Sequence, residues 1–353
     1  MVLVILVWMM VDLILTYDFN LLFTSFDNVG LLKVLNFLES HESEYLSGQD
    51  LSDVLKISRV AVWKHIEKIR SLGYKIDSKQ KRGYKFVNRT ERLLPWEITK
   101  KNKAKFIGRR IYYFDEIDST QDFALQLSTN NKENGTIIIA EKQKHGKGRL
   151  DRKWYSPDGG IWLSIIIHPK FEISDTTIIP LLVSLALCES IKKKYGIKTN
   201  VKWPNDITIN GKKVAGMLID TTIQGNKIEN LVLGVGINFA INTTQIQKRL
   251  QNTPNFYGVT SLFPVKNRAS KMELLLQFLV QLEKGINDLT EGKKLQIIKK
   301  WSDNTDIFGK SISINTGNGK ISGIVKKIDS EGALVIKTRN KTEKIFVGDV
   351  VLR

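Results

Sequence analysis

Between residues 29 and 89 the apolar positions recur first with the spacing of helices and then with that of strands. Leu31, Leu32, Leu35 and Leu38 fall on one helical face. In Gly48-Gln-Asp-Leu-Ser-Asp-Val-Leu-Lys-Ile-Ser-Arg-Val-Ala-Val-Trp-Lys-His-Ile-Glu67, Leu51 and Leu55 mark a short helix. Ser58 is placed to cap a second helix, Val62, Ile66 and Ile69 give it an apolar face, and Gly73 can end it. Two helices joined by a turn of three or four residues make a helix-turn-helix. The second carries Arg59, Trp63, Lys64, Lys68 and Arg70 outward, so it reads as a basic recognition helix. Tyr74 to Val87 alternate like strands around Lys79-Gln-Lys-Arg-Gly83, which predicts a β-hairpin wing that touches phosphates. The expected DNA contacts are Ser58, Arg59, Trp63, Lys64, Lys68, Lys81 and Arg82. A charged helix face is by default a solvated one. Here helix and wing are basic together, which favours nucleic acid. Lys56 holds the turn position that such motifs commonly give to glycine, and a left-handed lysine there costs about 1 kcal/mol.

Past a linker at 90–104 the pattern changes. Apolar, β-rich runs at Ile111 to Phe114, Thr136 to Ala140, Ile161 to Ile167, Val201 to Ile209, Val214 to Asp220 and Leu231 to Phe239 alternate with helical patterns at Thr120 to Ser128, Ile178 to Tyr195 and Lys271 to Leu289. A mixed α/β core over 105–304, a sheet backed by helices, is the expected result. From about Phe308 short strands alternate with turn signals at Gly317-Asn-Gly319, Asp329-Ser-Glu-Gly332 and Arg339-Asn340, the pattern of a small SH3-like β-barrel at 305–353. The fold class is therefore α+β: a winged helix-turn-helix at 29–89, the core, and the terminal barrel.

Composition narrows the partners. The chain of 353 residues is 42% hydrophobic and 25% charged, ordinary for a soluble protein of two or three domains, and its formal net charge of +18 points to a polyanionic partner, nucleic acid or a phosphate-bearing ligand. Cys188 is the single cysteine, which excludes a disulfide framework and a cysteine-built zinc site; its apolar helical setting reads as core. His41, His65, His145 and His168 do not pair at metal-ligand spacing. Met1 to Leu15 are apolar except for Asp12, too short for a membrane span and without the basic start and small-residue cleavage site of a signal peptide. Residues 1–28 are open to three readings: a translation start set upstream of the true one, an extra buried helix, or a membrane-surface anchor. No membrane span is expected, and the expected compartment is the cytoplasm.

The segment richest in chemistry is Gly146-Lys-Gly-Arg-Leu-Asp-Arg-Lys-Trp154. Gly146 and Gly148 permit close backbone approach, and Lys147, Arg149, Arg152 and Lys153 concentrate positive charge, so the loop suits phosphate. It is not a Walker A loop, and no Gly-x-Gly-x-x-Gly fingerprint occurs. Taken alone it is as well explained as a basic surface turn. It is joined, in order, by Asp118-Ser-Thr-Gln121, Ala140-Glu-Lys-Gln143, Lys202-Trp-Pro-Asn-Asp206, Lys213-Val-Ala-Gly-Met-Leu218 and Gly234-Val-Gly-Ile-Asn238.

In these motifs and their order the chain resembles the bifunctional biotin protein ligases that also act as biotin operon repressors, from about Gly30 to the C-terminus. The resemblance implies a reaction in two steps. Biotin's carboxylate attacks the α-phosphate of ATP to give biotinyl-5′-AMP and pyrophosphate, and a lysine of a biotin carboxyl carrier protein then attacks the mixed anhydride. The substrate is its own nucleophile, so neither a Ser-His-Asp triad nor a catalytic cysteine is needed; fixed cations in a dry site are. Position by position, it implies Lys202 and Arg149 as catalytic cations; Ser119, Thr120, Gln121, Gln143, Lys147, Gly148, Arg149 and Lys202 around biotin; and Arg149, Arg152, Trp154 and Asn238 around the adenylate. Mg²⁺ is implied beside ATP, with no ligand set assigned. Asp206 would support Lys202 or Mg²⁺, or serve only as a turn residue. Ser119 has a second reading, as the cap of the helix behind it.

Three departures from the family pattern stand out: Gln121 where asparagine is common, Lys147 in place of the first arginine of Gly-Arg-Gly-Arg, and Asp151 where glycine is frequent. Lysine at 147 keeps the charge and loses the bidentate fork. The resemblance also implies operator DNA upstream of biotin genes as a partner and a homodimer when adenylate is bound. Two alternatives are a lipoate or octanoate ligase, which usually lacks this pair of basic-loop and Lys-Trp-Pro-Asn-Asp motifs, and a ligand-sensing DNA-binding regulator without catalysis, against which the intact cations argue.

Overall fold

In a computed structural model the described residues are 27–129, 133–225, 227–253, 256–316, 319–346 and 348–352. The apolar segment at 1–26 lies outside them. The chain divides between Arg92 and Leu93 into two compact units.

In the first unit three helices, α1 (Asp27–Ser40), α2 (Gly48–Leu55) and α3 (Arg59–Ser71), precede an antiparallel hairpin of β1 (Lys75–Lys79) and β2 (Gly83–Asn88). Local chemistry sets the boundaries. Ser47 and Asp50 form a reciprocal capping box at the start of α2. Ser58 caps α3 by accepting the Ala61 N–H at 3.1 Å. Lys56 adopts φ 54°, ψ 43° between them, the left-handed turn anticipated at that position. Leu31, Leu35, Leu38, Leu51, Val62, Ile66, Ile69, Leu72 and Phe86 close the core.

The second unit is built on a seven-stranded sheet in the order β3-β4-β5-β9-β8-β7-β6, from β3 (Ile111–Ile117), β4 (Thr136–Gln143), β5 (Ile161–Ile167), β6 (Asn200–Lys202), β7 (Asp206–Ile209), β8 (Lys212–Gln224) and β9 (Lys227–Ile237). Only β3 and β4 run parallel. Every residue of β5 is buried, so both its faces are covered, which is why it reads as a continuous apolar run. Helix α5 (Thr120–Ser128) lies over β4, β5 and β9, with Ala124 against Ile138, Ile166 and Val232. The long helices α6 (Ile179–Tyr195) and α8 (Lys271–Thr290) pack on each other, joined by α9 (Lys294–Ser302). Ile173–Tyr195, which includes α6, is long and apolar enough to cross a membrane, yet it is core: Leu181 to Cys188 are all buried.

Three parts differ from the sequence expectation. The segment 90–104 is not simply a linker, because it contains helix α4 (Pro95–Lys101), packed on β3 and α8, with Leu93, Leu94, Glu97 and Ile98 buried. Residues 105–107 are held by the buried Glu283, whose carboxylate accepts their three backbone N–H groups at 2.6, 2.8 and 3.1 Å. The run Val201 to Ile209 is a tight hairpin, β6 turning into β7 through Trp203-Pro204-Asn205 with a cis bond before Pro204. The short helix α7 (Thr244–Leu250) occupies a segment in which no element was expected.

The C-terminal strands β10 (Ser311–Thr316), β11 (Gly319–Ile328), β12 (Leu334–Lys337), β13 (Thr342–Ile345) and β14 (Asp349–Leu352) form a small antiparallel sheet in the order β13-β12-β11-β10-β14. Ile312, Ile314, Val325, Leu334, Ile336 and Ile345 make its core.

Candidate active site and nucleic-acid interface

The second unit contains a cavity of about 390 Å³ between α5, the ends of β4, β5, β8 and β9, the loop after β4 and the chain around α7. One end is neutral and polar. Thr120 donates from its backbone N–H (2.8 Å) and its hydroxyl (3.1 Å) to Gln143 Oε1. Gln143 Nε2 donates to Ser156 Oγ at 2.8 Å. Thr120 Oγ1 lies 3.0 Å from Ser164 Oγ, and Ser164 donates to Gln121 Oε1 at 2.9 Å. Gln121 Nε2 donates to Asp220 Oδ2 (2.8 Å) and to the Val232 carbonyl (3.1 Å). These last bonds fix which way the Gln121 amide points, and the Thr120 N–H fixes that of Gln143.

That row is short of protons. The Thr120 and Ser164 hydroxyls own one proton each, yet they stand in three oxygen-to-oxygen contacts: with Gln143, with each other and with Gln121. One contact always faces lone pair against lone pair. With both protons engaged the hydroxyls can only accept, so a ligand N–H aimed at either one finds a lone pair, whereas a ligand with acceptors only finds no donor there.

The other end is cationic. The loop from Gly146 to Trp154 is a hairpin, with Gly148 N–H donating to the Arg152 carbonyl (2.7 Å) and Trp154 N–H to the Gly146 carbonyl (2.8 Å). Its tip places Leu150 and Asp151 at φ 54° and 55°. Asp tolerates that region and leucine does not, so Leu150, 67% exposed, carries strain of about 1 kcal/mol. Arg149 Nη1 donates to Asn205 Oδ1 at 3.0 Å, and Asn205 Nδ2 in turn donates to the Met217 carbonyl at 2.6 Å, tying loop to sheet. Lys147 Nζ is 2.6 Å from Asp122 Oδ1, and that hydrogen bond raises the ammonium pKa.

Glycines let the loop seat. Gly216 on β8 pairs with Gly236 on β9, and a Cβ at Gly236 would meet the Trp154 indole at 2.5 Å. Gly234, two residues back on the same face, leaves room for Gln121, whose Oε1 would be 2.5 Å from a Cβ there. The alternation Gly234-Val-Gly-Ile-Asn238 is thus one face of a strand shaped around side chains and cavity. Trp154 Nε1 is buried with no hydrogen-bond partner among the described residues, a donor that costs about 1–3 kcal/mol until an acceptor meets it.

Lys213 completes this end. Its ammonium is 2.7 Å from Asp206 Oδ1 and 5.0 Å from the Trp154 ring centroid. Tyr257 donates to the other oxygen of Asp206 at 2.5 Å, and the Lys202 ammonium rests 3.1 Å from the Tyr257 ring centroid.

The chain matches three family models: the biotin/lipoate A/B protein ligase family over residues 113–238, an HTH domain over 31–85 and the biotin protein ligase C-terminal domain over 307–353. It is 34% identical to the bifunctional ligase/repressor BirA of Bacillus spizizenii over 88% of this chain and 94% of that protein, and 33% identical to its Bacillus subtilis counterpart over the same shares. Its structure is similar to the biotin protein ligase of Aquifex aeolicus in complex with biotin and ATP, with a TM-score of 0.58, 28% identity, and coverage of 69% of this chain and 99% of that one. The chain belongs to the bifunctional biotin protein ligase/repressor family.

In this family member the cavity gathers most of the residues expected from sequence: Thr120, Gln121, Gln143, Lys147, Gly148, Arg149, Arg152, Trp154 and Asn238 all line it. Two do not. Ser119 is buried as the cap of α5, accepting the Asp122 N–H at 3.2 Å. Lys202 is outside the lining, its ammonium resting on the Tyr257 ring; the lysines in the cavity wall are Lys147, Lys153 and Lys213. Sequence reasoning also passed over Ser164, although a lone hydroxyl inside the apolar run Ile161 to Ile167 must find a partner. Among the described residues no group of three or more His, Cys, Asp or Glu gathers around a metal position.

On the ligase/repressor's first unit, Arg59, Lys64 and Lys68 are exposed on α3, and Lys81 and Arg82 on the wing turn. Arg70 is committed elsewhere: it pairs with Glu67 at 2.7 Å and donates to the Ile76 carbonyl at 3.0 and 3.2 Å, bracing helix against wing. Lys79, Arg82 and Lys85 converge on the ring of Tyr45 at 5.0, 5.2 and 5.8 Å. The Tyr45 hydroxyl donates to Asp77, and this bond holds the Asp77 carboxyl below its ordinary range.

Proposed function

We propose that this chain is an ATP-dependent biotin protein ligase that also binds operator DNA. The observation that carries the reading is a single cavity with a buried, proton-poor neutral row at one end and Arg149, Arg152 and Lys213 at the other. Biotin's ureido group offers the N–H donors the row lacks, and its carboxylate would extend toward the cations. There Lys213, held by Asp206, balances the charge that develops between carboxylate and α-phosphate as biotinyl-5′-AMP forms. Trp154 lines the site with an N–H unpartnered among the described residues and would help exclude water from the anhydride until the carrier lysine attacks it. Mg²⁺ requires few protein oxygens when it arrives with nucleotide phosphates. Asn238 suits that role, since its amide nitrogen donates one N–H to the Thr260 carbonyl at 3.0 Å, which leaves its oxygen to accept. Mg²⁺ would neutralise phosphate charge there.

The winged helix is read as binding a two-fold operator upstream of biotin genes. One recognition helix reads only a few base pairs, so the operator-bound form is a homodimer, and adenylate formation is the step that favours it. The compartment is the cytoplasm. The test is incubation with biotin, MgATP and a biotin carboxyl carrier domain, read by streptavidin blot: one labelled lysine is expected, and no labelling of several carrier domains would end the assignment.

A further inference from the structure

Helix α3 presents more than cations. Its buried face is Val62, Ile66 and Ile69, while on the opposite face Val60 is 63% and Trp63 54% exposed. The two are three residues apart and so neighbours on one stripe. Arg59, Lys64 and Lys68 flank them, and the one acid of the stripe, Glu67, is neutralised by Arg70. Two apolar side chains ringed by positive charge suit a polyanion with apolar groups set inside it. The major groove of DNA is such a surface. It admits one helix, and the apolar group on its base edges is the C5-methyl of thymine. Recognition helices meet bases with their N-terminal residues, which is where Val60 and Trp63 stand.

We infer that Val60 and Trp63 pack on thymine methyl groups in the major groove and so set T·A preferences in the operator half-site, while Arg59, Lys64 and Lys68 hold the phosphates. The inference rests on the DNA-binding reading above and deepens it. The wing's exposed tip, Lys79 to Arg82, is polar and mostly cationic and carries no apolar side chain. Apolar contact at α3 is then the part of the unit that distinguishes one base from another without a hydrogen bond.

The experiment uses the full chain with biotin and MgATP. Duplexes are selected from a randomised library, and each thymine of the selected duplex is replaced in turn by uracil, which pairs identically and lacks the methyl. At one or two positions uracil is expected to weaken binding about fourfold per methyl lost. Val60→Ser with Trp63→Ala should abolish the thymine/uracil difference and leave the salt dependence intact. Lys64→Ala should do the reverse, keeping the difference and lowering the slope of log K against log salt by about one. Biotin transfer by each variant, together with a Trp63→Gln variant, separates contact from folding. Equal affinity for thymine and uracil at every position, or discrimination that survives in the Val60/Trp63 variant, overturns the inference while leaving DNA binding standing. A library in which no duplex is enriched overturns both.

Discussion

Lys213→Gln and Lys202→Gln should separate two lysines that flank the same hairpin. The Lys213 ammonium sits in the cavity wall, 2.7 Å from Asp206, with its side chain 28% exposed. A unit cation about 4 Å from a reacting phosphate contributes about 4 kcal/mol at an effective dielectric of about 20. Partial exposure and the neighbouring Arg149 and Arg152 reduce that figure, so a loss of about 10²- to 10³-fold in adenylate synthesis is expected, the scale on which removing a preorganised charge usually acts. Lys202 rests on the ring of Tyr257, which hydrogen-bonds Asp206; a cation–π contact of this type contributes about 1–2 kcal/mol, so its loss should cost about tenfold. Glutamine keeps a donor and most of the length in both variants. Biotin-dependent ATP–pyrophosphate exchange measures the first step, transfer from preformed biotinyl-5′-AMP the second, and thermal melts check folding. A folded Lys213→Gln variant within threefold of wild type, or a deeper loss at Lys202, would refute the assignment.

Ser164→Ala removes one of the two hydroxyl protons in the neutral row and leaves Gln121 Oε1 without its donor, so biotin affinity should fall by about 1–3 kcal/mol; an unchanged calorimetric Kd would count against the row as the biotin-head site. Gly236→Ala brings a methyl to 2.5 Å from the Trp154 indole and should displace it, raising the KM for ATP by at least tenfold with little change in melting temperature; an unchanged KM would show that the indole does not need its slot. Burial pushes the Cys188 thiol up to about 12, from an ordinary value of 9.0. The folded state therefore favours the protonated thiol, so this contribution to stability is complete below about pH 9 and is lost as pH rises toward 12. Cys188→Ala should flatten that alkaline slope, and alkylation of the native thiol should proceed only at the rate of opening; rapid labelling of folded protein would contradict its burial.

Elements with a strong single period were legible. Helix α5 and strand β5 have the boundaries their patterns predict, because one apolar stripe or one unbroken apolar run admits few other readings. The hairpin within Val201 to Ile209 was hidden by its apolar ends, although Pro204 in a strand interior was the available sign of a break. Helices α4 and α7 are too short for a period to emerge, and each is held by tertiary burial, of Ile98 and of Ile246.

The site was legible as a set of residues and not as an arrangement, and Lys213 shows why. On an uninterrupted strand, positions 213 and 216 are an odd number apart and face opposite sides, so alternation aims Lys213 away from the cavity that Gly216 lines. Between β7 and β8 the register shifts: Asp206 pairs with Gly216 and Ile207 with Ala215, but Thr208 pairs with Lys213. That one-residue irregularity exchanges the faces of β8 on either side of it. Lys213 therefore comes round to the side of Gly216, where a Cβ would stand 2.9 Å from Lys213 Cε, and reaches Asp206 and Trp154. The motif places both lysines beside the cavity, and a bulge that no periodicity encodes decides which of them enters it.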